Sequence, residues 1–421
     1  MRGGFDIDGL RSEIGVIPDA PAKRWRFLNI LHIIGSLSPD GGGPPEAVRQ
    51  LVKAYVEVGV EIEVVCLDEP DSPYLADVSC RVHALGQSLL GRYAFSPRLW
   101  RWLHGNVHRF DALVINGIWT FPGVATRSAA RKTKIPYGVF VHGALDPWFN
   151  KTYPLKHLKK NFYWPIQRAV LHDAEVVFFT TDAERDLAMQ SFRKSEWNSM
   201  VVPYGINDPE DAHPNHAEQI QAFYDAMPQL RGRRFLLFLA RIHEKKGCDL
   251  LIEAFAKVAA LAPDVDLVVA GPDQVGLQSK LQHLAAEHGI GKRVHWPGFL
   301  GGDLKWGAMR ACDAFVLPSH QENFGIAVVE ALAVGRPVLI SNQVNIWQDI
   351  EADKVGLVDE DTPEGIERLL LQWFDLPRQE RNAMAARARP SFVRRYGMYR
   401  AAQAISHLFA ATKAEAKTAA V

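Results

Sequence analysis

SHQENFGIAVVEALAVGRPVL, residues 319–339, sets Glu322 and Glu330 eight positions apart around an Asn-Phe-Gly. The apolar run AFVLPS ahead of it reads as a strand, GIAVVEALAVG as a helix and RPVLISN as the following strand. A strand, a helix and a second strand joined by short loops make the unit of a parallel sheet. Glu322 then falls on the loop beyond a strand end, and Glu330 lies further along the helix. A helix start beside a glycine offers unpaired backbone N–H groups to an anion, here those of Phe324, Gly325 and Ile326. Two acids flanking such a site, with Asn323 between them, suit sugar hydroxyls on either side of a phosphate.

The same alternation runs through the residues on both sides of this stretch. RFLLFLARI, VDLVVAGPD and RVHWPGFL read as strands, and GLVDE as a short edge. GCDLLIEAFAKVAALA, LQSKLQHLAAEHGI and DLKWGAMRAC read as helices. Ahead of them PEDAHPNHAEQIQ is polar and proline-bearing and reads as a linker. A second series precedes it, with FLNILHIIGSL, EIEVVCLD, DALVING, PYGVFVHG and AEVVFFTT as strands. The glycine-rich SPDGGGPP opens a helix after the first of these. Strands without polar alternation, separated by helices, argue for parallel sheets covered on both faces. The expected fold class is therefore α/β, with two Rossmann-like doubly wound domains facing a central cleft. Ligands on such sheets bind beyond the carboxyl ends of the strands. Residues 1–24 are expected to be an N-terminal extension, 25–207 one domain and 208–394 the other. A helix over 395–412 is expected to return to the first domain, and 413–421 to be a disordered tail.

Arg241 and Lys246, in LARIHEKKGCDLL, follow a strand end and precede a helix. A guanidinium and an ammonium there can neutralise a departing diphosphate. Gly42 and Gly43 let the first loop approach a ligand closely. His142 precedes a glycine and the LDPW turn, which favours a place in the cleft over that of a strand-end histidine with its partners close by. Asp146 either caps that turn or touches the acceptor. Asp264 and Asp266 imitate a metal-binding DxD pair. They precede a strand and so fall at the wrong edge of the sheet, and no metal or other cofactor is expected.

Lys+Arg and Asp+Glu both number 48 in 421 residues, which argues against whole-surface binding to nucleic acid. Cys66, Cys80, Cys248 and Cys312 form no CxxC pair, so no zinc site is expected, and lone thiols suit a reducing compartment. The opening residues hold no apolar signal core and no run is long enough to span a bilayer. A cytoplasmic protein is expected, with any membrane contact peripheral. The segment KTYPLKHLKKNFYWPIQRAV is where such contact is expected, because it mixes Lys151, Lys156, Lys159, Lys160 and Arg168 with aromatic residues.

Arg241-x4-Lys246-Gly followed by Glu322-x7-Glu330, with the N-terminal glycine loop and VHGALDPW, resembles glycosyltransferase family 4. These are retaining enzymes of the GT-B fold, and the resemblance runs from about Phe27 to the C-terminal helix. It implies that Arg241 and Lys246 hold the diphosphate of a nucleotide-sugar donor, a UDP- or GDP-hexose. Glu322 and His142 would attend the transferred sugar, and Glu330 the ribose. Asn323, Phe324, Gly325, Ile326, Gly42 and Gly43 would line the donor. Asp146 and Asn116 would face a saccharide or lipid-linked saccharide acceptor, although Asn116 and Tyr204 depart from residues common in the family. The HGALDPWF variant resembles that of surface-polysaccharide enzymes and implies exopolysaccharide or lipopolysaccharide assembly. Another GT-B enzyme, such as a phosphorylase or epimerase, and a non-catalytic nucleotide-sugar binder are the alternatives.

Overall fold

The computed structural model describes residues 28–418, apart from 149–151, 153, 194–195, 203 and 213–214; the extension expected over 1–24 lies outside the described residues. The chain divides into two units, after Asn207 and again after Gly397.

The first unit carries β1 (Asn29–Ile34), α1 (Gly43–Val58), β2 (Glu61–Cys66), β3 (Arg81–Ala84), α2 (Pro97–Asn106) and β4 (Ala112–Asn116). There follow α3 (Phe121–Thr133), β5 (Tyr137–Phe140), α4 (Pro154–His172), β6 (Val176–Phe179), α5 (Asp182–Ser191) and β7 (Ser199–Val201). The strands lie in the order β3-β2-β1-β4-β5-β6-β7, every pair parallel. On β1, Leu31 and Ile33 enter an apolar core with Val65, Leu113, Val139 and Val177. His32, on the opposite face, meets the ring of Tyr55 on α1 at 5.6 Å. Both faces of the strand are thus covered, which is why its sequence shows no polar alternation.

A helix, α14 (Met398–Thr418), completes this unit by packing along α1. Of the tail expected to be disordered over 413–421, residues 413–418 continue the helix to Thr418, and 419–421 lie outside the described residues. Ala, Lys and Glu dominate those last turns and are strong helix formers. Lys413 also pairs with Asp111 at 2.6 Å.

The second unit holds β8 (Arg234–Leu239), β9 (Val265–Ala270), β10 (Val294–Gly298), β11 (Ala314–Leu317), β12 (Val338–Ser341) and β13 (Gly356–Asp359), with α8 (Gln278–Glu287) and α11 (Trp347–Asp353) among the helices between them. Their order is β10-β9-β8-β11-β12-β13, again parallel throughout. The expected linker, residues 209–221, is corrected: α6 (His216–Ala226) begins within it, and its Gln219 and Phe223 are buried. Gln219 receives a hydrogen bond from Arg310 and gives one to Asp303, both on α9 (Gly302–Ala311). A Cβ on Gly307 of α9 would lie 2.1 Å from the Gln219 carbonyl oxygen, so only glycine permits this approach. Gln219 of α6 is therefore spent on a neighbouring helix rather than on water.

Asp266 lies at the amino-terminal part of β9 and binds Arg233, with His295 2.9 Å away. Asp264 pairs with Arg234. Both acids are engaged in ion pairs at the edge of the sheet from which the strands begin.

Candidate functional site

In the second unit two loops beyond strand ends are pressed together. The loop after β8 makes a short turn, Glu244–Lys246, and Gly247 then turns the chain at φ +65° into α7 (Cys248–Val258). A Cβ on Gly247 would sit 2.1 Å from the carbonyl oxygen of Pro318, in the loop after β11. The amide of His320 donates to the Lys245 carbonyl at 2.9 Å. This approach carries the buried Lys246 onto Glu322, and their ammonium and carboxylate are in direct contact. The Glu322 backbone is fixed on its other side by Gln343 at 2.9 Å and Asn345 at 3.0 Å. Burial opposes charge on the Glu322 carboxylate, but Lys246, Lys245 and Arg241 outweigh it and hold its pKa below the ordinary value. Arg241 is exposed and donates to Gln274 at 3.1 Å.

The helix after Glu322, α10 (Ile326–Ala333), starts behind Gly325, whose φ of +79° serves as its N-cap. The first-turn amides are thus those of Ile326 and Ala327, one step later than expected. Asn323 is half-buried, while Phe324 is buried with its ring 6.0 Å from that of Tyr396. Glu330 is buried and accepts a hydrogen bond from Lys305 at 2.8 Å. Lys305 comes from α9 and also lies 4.2 Å from the ring centroid of Trp306. The sequence did not single out Lys305, because nothing in its local pattern reveals a partner on another helix.

In the first unit, Gly42 has φ +74° and Gly43 is the first residue of α1, with Pro44 and Pro45 in its opening turn. His142 follows β5 at φ +47° and Gly143 at φ +70°, a left-handed pair uncommon for an ordinary side chain. The Gly143 amide donates to Glu184 at 2.6 Å, and the other Glu184 oxygen accepts from the amide and hydroxyl of Thr180. Glu184 thereby fixes the turn that carries His142, a role sequence reasoning missed. The only signal was Thr181-Asp-Ala-Glu184, a capping-box spacing at the start of α5.

The His142 ring stacks on Phe140 with centroids 5.4 Å apart, and its buried Nε2 has no hydrogen-bond partner among the described residues. Burial lowers its pKa to about 4, so the ring is neutral near pH 7. Asn116, at the end of β4, is turned onto the ring of His32, with Nδ2 3.2 Å from Nδ1. Asp146 accepts the Trp148 amide at 2.8 Å and so caps its turn. Both expected acceptor residues are thus engaged within the fold. Lys246 and Glu322 are brought together with Arg241 nearby, and Glu330 lies on the helix that follows.

The family model described as glycosyl transferase 4-like domain matches residues 42–205, and that described as glycosyl transferases group 1 matches residues 225–390. Mannosylfructose-phosphate synthase of Agrobacterium fabrum is 24% identical over 351 residues, which cover 76% of this chain and 75% of that protein. Other curated relatives are matched over shorter stretches, from 24% to 54% of their length. The solved structure of Anabaena Alr3699/HepE in complex with UDP and glucose superposes with a TM-score of 0.73 at 19% identity, covering 91% of this chain and 100% of that one. WaaG, a glycosyltransferase involved in lipopolysaccharide biosynthesis, gives a TM-score of 0.67 at 18% identity, covering 90% and 99%. Two glycosyltransferase domain models in series, one for each parallel sheet, place this chain among the glycosyltransferases of the family 4 type, enzymes of the GT-B fold.

Proposed function

We propose that the chain moves a hexose from UDP or GDP, with retention and without a metal, to a hydroxyl of a saccharide or lipid-linked saccharide. The Lys246–Glu322 contact carries this reading, because it puts a cation and an acid together beyond the strand ends. Negative charge developing on the departing diphosphate would meet Lys246, Arg241 and the amides opening α10. Glu322 would offset the positive charge that grows on the sugar ring. Glu330, oriented by Lys305, would bind the ribose hydroxyls. The leaving phosphate oxygen would take the acceptor proton on the same face of the sugar, so no covalent nucleophile is assigned. Neutral His142 offers an unengaged ring nitrogen to a sugar hydroxyl.

The complex of Alr3699/HepE with UDP and glucose supports a nucleotide-sugar donor. WaaG's part in lipopolysaccharide biosynthesis supports a surface-polysaccharide pathway. The test is a panel of UDP- and GDP-hexoses, followed by melting temperature, turnover and the anomeric configuration of the product. Stabilisation by one donor, transfer with retention and indifference to a chelator are expected. If no nucleotide sugar stabilises or is consumed, the reading fails.

Peripheral membrane contact belongs to the same reading. No helix among the described residues is long and apolar enough to cross a membrane. On α4, however, Leu155, Leu158, Phe162, Tyr163 and Ile166 are exposed, Phe162 by 83%. They share one face at helical spacing, opposite the buried Trp164. From Gly86 to His172 the acids are Asp111 and Asp146, against thirteen Lys and Arg. A basic, apolar face suits an anionic lipid surface. Wild type should sediment with phosphatidylglycerol vesicles, and a Leu158→Gln/Phe162→Gln variant should stay in solution. Equal sedimentation of the two would exclude this face.

A further inference from the structure

A pocket of about 420 Å³ opens in the second unit at the edge where the strands begin, away from Lys246 and Glu322. Arg234 is the first residue of β8, Asp313 precedes β11, and Arg336 precedes β12. Two helices close the pocket: α12 (Pro363–Asp375) contributes Trp373, and α13 (Arg378–Arg395) contributes Arg378 and Arg381. The donor residues lie beyond the other ends of these strands, roughly 20 Å away by the length of β8.

Four arginines face one acid here, and that acid is already taken. Asp313 pairs with Arg234 at 2.7 Å. No carboxylate among the described residues pairs with Arg336, Arg378 or Arg381. Arg336 gives one N–H to the Arg310 carbonyl, and its Nε is buried without a partner. Trp373 is 1% exposed, and its ring N–H likewise has no partner. The Arg381 guanidinium lies 5.6 Å from the centroid of that ring. Burial, followed by the charge of Arg234, depresses the pKa of Arg381, the direction expected of crowded cations. Gathering four cations at one place with a single acid among them costs free energy that a bound anion returns.

We propose that this pocket binds a small phosphate-bearing anion, at a site separate from that of the donor. The fork of a guanidinium matches the oxygens of a phosphate, and arginines from two strand starts and a helix can grip it from several sides. The volume suits one small molecule rather than a polymer. The proposal stands whether or not the donor reading does.

The test titrates inorganic phosphate and glucose 6-phosphate into the full chain at constant ionic strength, with chloride as reference. Melting temperature and tryptophan fluorescence are followed. Phosphate compounds are expected to stabilise the protein where chloride does not. Arg378→Gln/Arg381→Gln should weaken this binding about tenfold or more, and Lys246→Ala should leave it within about twofold. The single variant Arg378→Gln, at an exposed position, should weaken binding without lowering the melting temperature of the free protein. Tighter binding of the sugar phosphate would make the sugar part of the ligand, and equal binding would leave phosphate alone as the recognised group. A response no larger than that to chloride, or one unchanged in the double variant, would overturn the proposal. Loss of the response in Lys246→Ala alone would assign the anion to the donor site and overturn it equally.

Discussion

The ammonium of Lys246 touches the carboxylate of Glu322 across 76 positions of sequence. Removing one member leaves the other largely enclosed and unpaired. Lys246→Ala is expected to lower transfer at least about 100-fold. It should also cost about 1–3 kcal/mol of stability, less than a fully buried pair because Glu322 keeps some exposure. Adding Glu322→Gln should cost little more. Steady-state kinetics and urea melts of the two single variants and the double variant check this, and simple additivity would deny the coupling.

Gly247 is the hinge of that contact. Gly247→Ala introduces a Cβ 2.1 Å from a carbonyl oxygen at a positive φ, and neither loop can retreat without losing a hydrogen bond. A loss of about 3 kcal/mol or more is expected in denaturant melts. A wild-type midpoint would mean that the two loops are not pressed together in solution.

Glu330 is expected to act on binding rather than on the chemical step. A ribose contact is equally strong in the ground and transition states, so Glu330→Gln should raise the donor KM about tenfold with kcat almost unchanged. Lys305→Ala should move KM in the same direction by a smaller factor. A fall in kcat at constant KM would place Glu330 at the reacting centre instead.

Acid should loosen the first unit. Burial lowers the pKa of His142 to about 4, and burial with the neighbouring His142 charge lowers that of His32 to about 3. In the unfolded chain both titrate near 6.5. Between these values the unfolded state holds more protons, so stability falls as pH drops below 6.5. Each ring contributes on the order of 3 kcal/mol by pH 4. Urea midpoints at neutral and acid pH should show a steep loss in wild type and a shallower one in His32→Phe. Parallel slopes would remove His32 from the account.

Strand and helix runs were legible in the sequence because both faces of each parallel strand are covered, leaving short unbroken apolar stretches. Lys246, Glu322 and Glu330 were legible because the start of a helix beyond a strand end is a local event. Lys305 and Glu184 were not, since each acts on an element that is distant in sequence. The linker was misread for the same reason: Gln219 looks solvated until α9 is seen beside it. Asn116, expected to face the acceptor, and Asp146, expected either to cap its turn or to touch the acceptor, have partners within the fold that sequence alone does not show, His32 and the amide of Trp148.

Helix α14 lies along α1, although more than 300 residues and the whole second unit separate them in the chain. During synthesis the first half therefore emerges with one flank of its sheet uncovered. It stays so until translation has passed Met398, and the half made first is finished last. Nonsense and frameshift lesions in the codons of α14 should consequently damage the amino-terminal half, far from where they fall.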